Sequence, residues 1–221
     1  MKRAVVLVSG GMDSTTLLHY LKKTEGVDEL HAISFLYGQK HSREIKMARK
    51  QAKKAGVKVH KTIDISPFKH LTTGSALTDR TEPIPELSKL SSEQRKQPPT
   101  YVPNRNMVFL SMAAAYAESV GIEELYYGAQ LQDEYGYWDC SIDFLERMNH
   151  VLRLNHKKPI RVRAPFVGLR KAELLRMGME MGVDYSDTWT CYHGNKKPCG
   201  TCPSCVERGK AFAEVGMADP V

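Results

Sequence analysis

The first 65 residues alternate between strand-like and helix-like spacings of apolar positions. An unbroken apolar run at 4–8 is typical of a buried parallel strand, and apolar positions within 15–21 have helical spacing. The run 29–36 predicts a second strand, an apolar stripe predicts a helix over 42–56, and 57–65 predicts a third strand. Strands and helices in this order predict right-handed crossovers and a parallel sheet.

The later chain continues the same alternation. Its pattern predicts a helix at 105–119, a strand at 125–129, a helix at 141–153, a strand at 160–165 and a helix at 171–181. The helix at 105–119 is apolar on nearly every side and is therefore expected to be buried. The predicted fold class is α/β, a Rossmann-like parallel sheet with helices on both faces.

Residues 66–103 interrupt this rhythm. Six of the eleven prolines fall in this insert, which has room for one short helix at 86–96. A connection of this length is a lid, a subunit contact or a disordered segment. We predict an α/β domain over 1–185 that contains the insert, and a small C-terminal metal-binding region over 186–221.

The net charge of +7 comes from one local segment. Residues 40–61 hold nine Lys/Arg and one acid, a net of +8, so the rest of the chain sums to −1. A solvated helix face explains this excess as well as a nucleic-acid partner does, and we expect no nucleic acid. No apolar run approaches the ~20 residues of a membrane helix, and no leader precedes the first strand, so a cytoplasmic location is expected.

The stretch Ser9-Gly10-Gly11-Met12-Asp13-Ser14 lies between the first strand and the first helix. Adjacent glycines let the backbone approach a ligand, and the amides at a helix start attract anions. The Walker lysine is absent from this loop, and Asp13 stands inside it. A carboxylate in a phosphate site requires a cation between the two, which implies Mg²⁺. The alternative is an ordinary Gly-Gly turn with Ser14 as a helix cap.

Polar residues also follow the other predicted strands, at the sheet edge where ligands bind. Tyr37 to His41 follow the second strand, and Arg105 begins the helix at 105–119. The Arg105 guanidinium either snorkels from a capped helix start or points at a phosphate or carboxylate. Residues 130–139 combine polar and aromatic side chains, which suits a flat, hydrogen-bonding ligand as well as ordinary packing.

Four of the five cysteines crowd near the C-terminus as Cys191, Cys199, Cys202 and Cys205. A C-x₂-C-x₂-C run with a fourth cysteine nearby can surround one ion, and four thiolates leave no open position on structural zinc. An iron–sulfur cluster is the rival. The pattern indicates a metal site in a reducing compartment rather than disulfides.

The S-G-G-x-D-S loop resembles that of the PP-loop ATP-pyrophosphatase superfamily, whose fold is like that of the adenine nucleotide alpha hydrolases. The resemblance implies that ATP is a substrate and that an oxygen of the second substrate is adenylated. It places the nucleotide on a segment of eleven residues: Val8, Ser9, Gly10, Gly11, Met12, Asp13, Ser14, Thr15, Thr16, Leu17 and Leu18.

Over nearly its whole length the chain resembles the 7-cyano-7-deazaguanine synthase family. The matching motifs are Ser9–Ser14, Tyr37–His41, Val102–Asn106, Asp133, Arg163–Phe166, Thr188–Tyr192 and Cys199–Cys205. One stretch departs, because Tyr137-Trp138-Asp139-Cys140-Ser141 stands where the family often has Y-P-D-C-R.

This resemblance implies a homodimer that converts 7-carboxy-7-deazaguanine, ATP and ammonia to the nitrile through an adenylated carboxylate and an amide. It implies catalytic roles for Asp13, Arg105 and Asp133. The implied substrate-binding residues are Tyr37, Gln39, Asn106 and Asp139.

Three alternatives stay open at this point. A tRNA-thiolating PP-loop enzyme would share ATP use and cysteine-bound metal, and an amide-forming ligase would stop one step earlier. A zinc-knuckle nucleic-acid binder would instead use the basic segment 40–61.

Overall fold

The computed structural model describes residues 1–130 and 137–221. The predicted catalytic residue Asp133 lies outside the described residues, so its role stays a prediction. Within the described ranges, no helix has both the length and the apolar character needed to cross a bilayer.

The described residues form a five-stranded parallel sheet in the order β3-β2-β1-β4-β5. The strands are β1 Arg3–Leu7, β2 Glu29–Leu36, β3 Val59–Asp64, β4 Glu124–Tyr126 and β5 Arg161–Arg163. The chain moves outward from β1 to β3 and then returns to the other side of β1, so the order reverses between β1 and β4. Ligands of such sheets bind at this reversal, outside the carboxyl ends of the strands.

Helices cover both faces of the sheet, as predicted. The helices are α1 Met12–Lys23, α2 Arg43–Lys54, α3 Ser92–Lys96, α4 Arg105–Ser119, α5 Ile142–Leu152, α6 Lys171–Glu180 and α7 Pro203–Glu214. Successive residues of β1 point to opposite faces: Val6 packs with Leu17 of α1, whereas Val5 packs with Leu110 of α4. The predicted α/β class is confirmed.

Two helices differ from the sequence-based expectation. The prediction that α4 is buried on nearly every side is wrong: Leu110, Ala113 and Ala117 face the core, while Met107 and Ser111 are exposed. The residues are apolar all round, but among the described residues the helix packs into the core through one side only. Helix α7 was not predicted, because its cysteines and proline are also typical of turns. Its first residue is Pro203, at a position where the missing amide costs nothing.

The insert 66–103 packs against both the sheet and the C-terminal region. It contains short 3₁₀ turns at Ser66–His70 and Leu87–Lys89, followed by α3. Leu77 joins the core beside α4. The Leu87 amide donates to the Thr201 carbonyl at 3.0 Å. The insert therefore bridges the end of β2 and the cysteine-rich segment, while its role as a lid or subunit contact stays a prediction.

Candidate active site and metal centre

The glycine loop between β1 and α1 is closed on itself by serine hydroxyls. The Ser14 hydroxyl accepts from the amides of Ser9 and Gly10, both at 3.2 Å. Gly11 is the N-cap of α1, so the amides that follow it open the helix without intrahelical acceptors. The loop thus presents a helix N-terminus at the sheet edge, which is an arrangement that binds anions.

Gly10 has a backbone conformation that only glycine adopts easily, with φ at +87°. A Cβ at this position would lie 2.5 Å from the Ala48 amide nitrogen and closer still to the Glu44 carbonyl oxygen of α2. The Gly10 carbonyl accepts from the Trp189 amide at 3.0 Å. Direct backbone contacts with α2 and with the C-terminal region therefore hold the loop in place.

A buried lysine from α6 reaches the loop. The Lys171 Nζ lies 3.5 Å from Asp13 Oδ2 and 3.2 Å from Glu207 Oε2. Burial lowers the pKa of this ammonium, but Asp13 and Glu207 outweigh burial and leave its pKa raised. The loop has no lysine of its own, and Lys171 supplies a permanent positive charge beside it.

The sequence analysis missed Lys171 because it opens an ordinary amphipathic helix far along the chain. The signal that could have found it is position: a helix that follows a parallel strand starts at the ligand-binding edge of the sheet. Lys171 is the first residue of such a helix after β5.

Asp13 keeps one carboxylate oxygen without a partner. Its Oδ1 is buried and makes no hydrogen bond with any described residue, whereas Oδ2 faces Lys171. A buried polar atom without a partner costs free energy, so this oxygen fits a hard cation that also binds phosphate oxygens.

Arg105 opens α4 opposite the loop. Its guanidinium lies over the Tyr37 ring, 5.6 Å from the centroid, and Nη1 approaches the Tyr37 hydroxyl at 3.5 Å. The Arg105 Nε is buried and has no hydrogen-bond partner among the described residues. Snorkelling does not explain a buried donor of this kind, which favours the reading that the guanidinium binds an anionic ligand.

Asn106 and Asp139 form the wall behind Arg105. The backbone amide of Asn106 donates to Asp139 Oδ2 at 3.4 Å, and the Asn106 side-chain Nδ2 donates to the Asp139 backbone carbonyl at 3.4 Å. Asp139 is only 3% exposed, and burial raises the pKa of its carboxyl above the ordinary range. Burial likewise raises the pKa of the neighbouring Cys140 thiol to about 12, so this thiol is no ready nucleophile.

One cleft of about 260 Å³ brings most of the predicted site residues together. Those that line it are Val8, Ser9, Gly11, Met12, Asp13, Ser14, Tyr37, Arg105 and Asn106. We call this the loop cleft. The structure adds Glu44, Lys171 and Glu207 to its walls, which the sequence analysis did not assign to the site.

The other predicted residues lie behind the surface of the loop cleft. Thr15, Thr16, Leu17 and Leu18 are buried in α1, and the Gln39 side chain accepts from the Tyr37 amide and donates to the Phe35 carbonyl. Their predicted roles stay predictions. A second cavity of about 880 Å³ lies along β4, α5 and β5, and it shares no lining residue with the loop cleft.

The four clustered cysteines converge on one point. We call Cys191, Cys199, Cys202 and Cys205 the cysteine cluster; their sulfurs all lie within 4.8 Å of one another. The Cys199 amide donates to the Cys191 sulfur at 3.4 Å, and the Cys202 amide to the Cys199 sulfur at 3.3 Å. Amide donors offset the negative charge of thiolates, and the cluster could hold a metal ion.

Comparison with known proteins places the chain in a family. The family described as "Queuosine biosynthesis protein QueC" matches residues 3–216. A 7-cyano-7-deazaguanine synthase of Caldicellulosiruptor saccharolyticus is 48% identical over 219 residues, which is 99% of this chain and 94% of that protein. The enzyme of the same name from Archaeoglobus fulgidus is 45% identical over 99% of this chain and 89% of its own length.

Solved structures show the same fold at low sequence identity. NMN synthetase from Francisella tularensis matches with a TM-score of 0.51 and 15% identity, over 97% of this chain and 77% of that one. The U34-tRNA thiolase NcsA from Methanococcus maripaludis, solved with its 4Fe-4S cluster, matches with a TM-score of 0.53 and 15% identity. That match covers 97% of this chain and 64% of the thiolase. The predicted family resemblance is confirmed: the chain belongs to the queuosine biosynthesis QueC family.

Proposed function

We propose that this chain is an ATP-dependent carbon–nitrogen ligase that converts 7-carboxy-7-deazaguanine and ammonia to 7-cyano-7-deazaguanine. The observation that carries the proposal is the convergence of two anion sites in the loop cleft. The glycine loop with Lys171 suits the phosphates of ATP, and the unpartnered Arg105 Nε suits the carboxylate that ATP must activate.

The reaction needs two activations of one carbon. The carboxylate oxygen attacks the α-phosphorus of ATP, pyrophosphate leaves, and ammonia then displaces AMP to give the amide. The amide oxygen attacks a second ATP in the same way. Loss of two protons and AMP from that adduct closes the carbon–nitrogen triple bond, so one nitrile consumes two ATP.

The chain contributes positioning and charge to these steps rather than a nucleophile. In this proposal the loop and Lys171 hold the leaving pyrophosphate, and Arg105 holds the carboxylate in line. Asp13 would hold Mg²⁺ through Oδ1, and this ion would supply positive charge that neutralises the leaving group. Tyr37 and Asn106 line the cleft and are proposed to bind the deazaguanine ring. Gln39 and Asp139 keep their predicted role in substrate binding, and Asp133 keeps its predicted catalytic role.

The cysteine cluster is proposed to hold one structural zinc ion. Four thiolates at about 2.3 Å around one ion lie about 3.8 Å apart, and the Cys199 and Cys205 sulfurs are 3.9 Å apart. A four-iron cluster would spread the sulfurs farther, because each thiolate binds a different iron. Metal analysis of protein purified without air should find one zinc per chain. Stoichiometric iron with visible absorbance would overturn this assignment.

The predicted homodimer and cytoplasmic location belong to the same proposal. Four reduced cysteines fit a reducing compartment. Light scattering of the purified chain tests the dimer: a mass near 24.9 kDa means a monomer, and twice that mass supports the prediction.

The function is tested by mass spectrometry of a reaction containing 7-carboxy-7-deazaguanine, ATP, Mg²⁺ and ammonium. We expect the nitrile with two AMP per product, and the Asp13→Asn variant should lose most of this turnover. Accumulation of amide with one AMP would indicate a ligase that stops at the amide. Unchanged turnover in Asp13→Asn would refute the magnesium role.

A further inference from the structure

Glu44 is a carboxylate of the loop cleft that has no hydrogen-bond or ion-pair partner among the described residues. It is the second residue of α2 and lines the cleft together with the loop and Arg105. Asp13 and Glu207, the other carboxylates on this wall, both face Lys171. The Glu44 carboxylate makes no hydrogen bond or ion pair with any residue in the described ranges.

The surroundings of Glu44 keep its proton exchangeable near neutral pH. Burial raises the pKa of this carboxyl to about 7, against the opposing effect of the Arg105 guanidinium. Among the described residues, the titratable or charged groups that face it from neighbouring elements include Arg105 of α4, Tyr37 after β2 and Cys191 of the C-terminal segment. A general base works best when its pKa lies near the working pH.

The proposed reaction requires such a base. Ammonia is present mainly as ammonium at neutral pH, and ammonium has no lone pair with which to attack a carbonyl carbon. No other step of the amide-forming half-reaction needs a proton acceptor before the carbon–nitrogen bond forms.

We propose that Glu44 is the catalytic general base that deprotonates ammonium inside the loop cleft. This inference rests on the proposed function and assigns the residue that delivers its nitrogen. The carboxylate attracts ammonium and takes one proton, which gives neutral ammonia and protonated Glu44. The ammonia lone pair forms the carbon–nitrogen bond, the carbon–oxygen bond to AMP breaks, and the extra proton on nitrogen leaves to solvent.

Arg105 strengthens this selection of the neutral nucleophile. Its guanidinium shares the cleft with Glu44 and repels ammonium while leaving ammonia unaffected. Deprotonation at Glu44 therefore occurs before the nitrogen advances to the adenylated carboxyl carbon beside Arg105.

The test compares Glu44→Gln with wild type in three assays. Exchange of pyrophosphate into ATP, dependent on 7-carboxy-7-deazaguanine, reports adenylation alone and should stay within about threefold of wild type. Amide formation from ammonium should fall about 10²–10⁴-fold, the usual contribution of a general base. Hydroxylamine is uncharged at neutral pH and needs no base, so the variant should form the hydroxamate at the wild-type rate.

The pH profile supplies an independent readout. As pH falls below about 7, the wild-type rate with ammonium should show an additional loss because Glu44 becomes protonated. The variant should lack this loss, because its rate depends only on the ammonia already present in solution. Glu93→Gln, at an exposed position of α3, is the control and should match wild type throughout.

The outcomes separate the two proposals. Equal losses with ammonium and hydroxylamine would show that Glu44 supports the loop and would overturn its role as a base. An unimpaired variant in all three assays would overturn it as well. If wild-type protein shows no substrate-dependent exchange, the proposed function itself fails before Glu44 is tested.

Discussion

Replacing Gly10 with alanine tests whether backbone contact with α2 sets the shape of the glycine loop. Alanine would carry a Cβ into the Glu44 carbonyl and to within 2.5 Å of the Ala48 amide nitrogen. Neither atom is the end of a flexible side chain, so the loop or the start of α2 must move. The same substitution also forces alanine into the left-handed region, because φ is +87°.

The two costs can be separated with a second glycine. Gly56 follows the other end of α2 with φ at +65°, and a Cβ there would meet nothing within 4 Å. Gly56→Ala therefore carries only the conformational cost of about 1–2 kcal/mol. Gly10→Ala adds overpacking of about 1–3 kcal/mol, for a total loss of roughly 2–5 kcal/mol in the free energy of unfolding.

Urea unfolding and nucleotide binding together check this reasoning. With a slope of about 2–3 kcal/mol/M, Gly10→Ala should lower the midpoint by roughly 1–2 M and Gly56→Ala by less than about 1 M. Only Gly10→Ala should weaken ATP binding, by at least about tenfold, because it displaces the loop amides. Equal midpoints and equal ATP affinities for the two variants would refute the claim that α2 shapes the loop.

Three further predictions concern charge and metal. Lys171→Met should cost about 3–5 kcal/mol in the free energy of unfolding and abolish pyrophosphate exchange, because it leaves Asp13 and Glu207 facing each other without a cation. Lys171→Arg keeps the charge and should recover part of both the stability and the exchange activity. The Lys58 ammonium and its neighbours lower the pKa of Glu29 from 4.5 to about 2, so this contribution to stability is present above pH 4.5 and is lost as pH falls toward 2. Urea midpoints measured from pH 5 to pH 2 should therefore fall less steeply for Glu29→Gln than for wild type, and parallel curves would contradict this. Removing the proposed metal with a chelator should lower the thermal unfolding midpoint and weaken ATP binding, and adding zinc should restore both. An unchanged ATP affinity would show that the cysteine cluster and the glycine loop are independent.

Residues that carry a local pattern were predictable from the sequence. The apolar runs predicted β1, β2 and α6 to within a few residues. The glycine loop was recognisable because a predicted strand precedes it and a predicted helix follows it. The spacing of the cysteines also predicted that they meet, because short turns bring three of them together without help from the rest of the chain. In each case the information lies within one short segment.

Residues that reach the site across the fold were not predictable in this way. Lys171 and Glu207 belong to α6 and α7, and nothing in their local sequence distinguishes them from surface charges. The packing of α6 on α1, with α7 packed on α6, brings Lys171 beside Asp13. Glu44 was counted among the charges of the basic segment 40–61, but it lines the loop cleft. The position of Glu44 on α2 places it in the cleft, and a count of charges along the segment could not predict this.

The contacts of Trp189 connect the cysteine cluster to the glycine loop, so we expect the proposed structural metal to influence the loop. A site closed by four cysteines has no open position, so its metal cannot touch substrate and must act through the protein. Trp189 is buried, its indole Nε1 donates to the Cys191 carbonyl at 2.8 Å, and its amide donates to the Gly10 carbonyl at 3.0 Å. The Arg43 guanidinium of α2 lies 4.2 Å from the indole centroid. If the cysteine cluster holds the proposed metal, we expect its removal to loosen the segment that holds Trp189 and to weaken the hydrogen bond from the Trp189 amide to the Gly10 carbonyl.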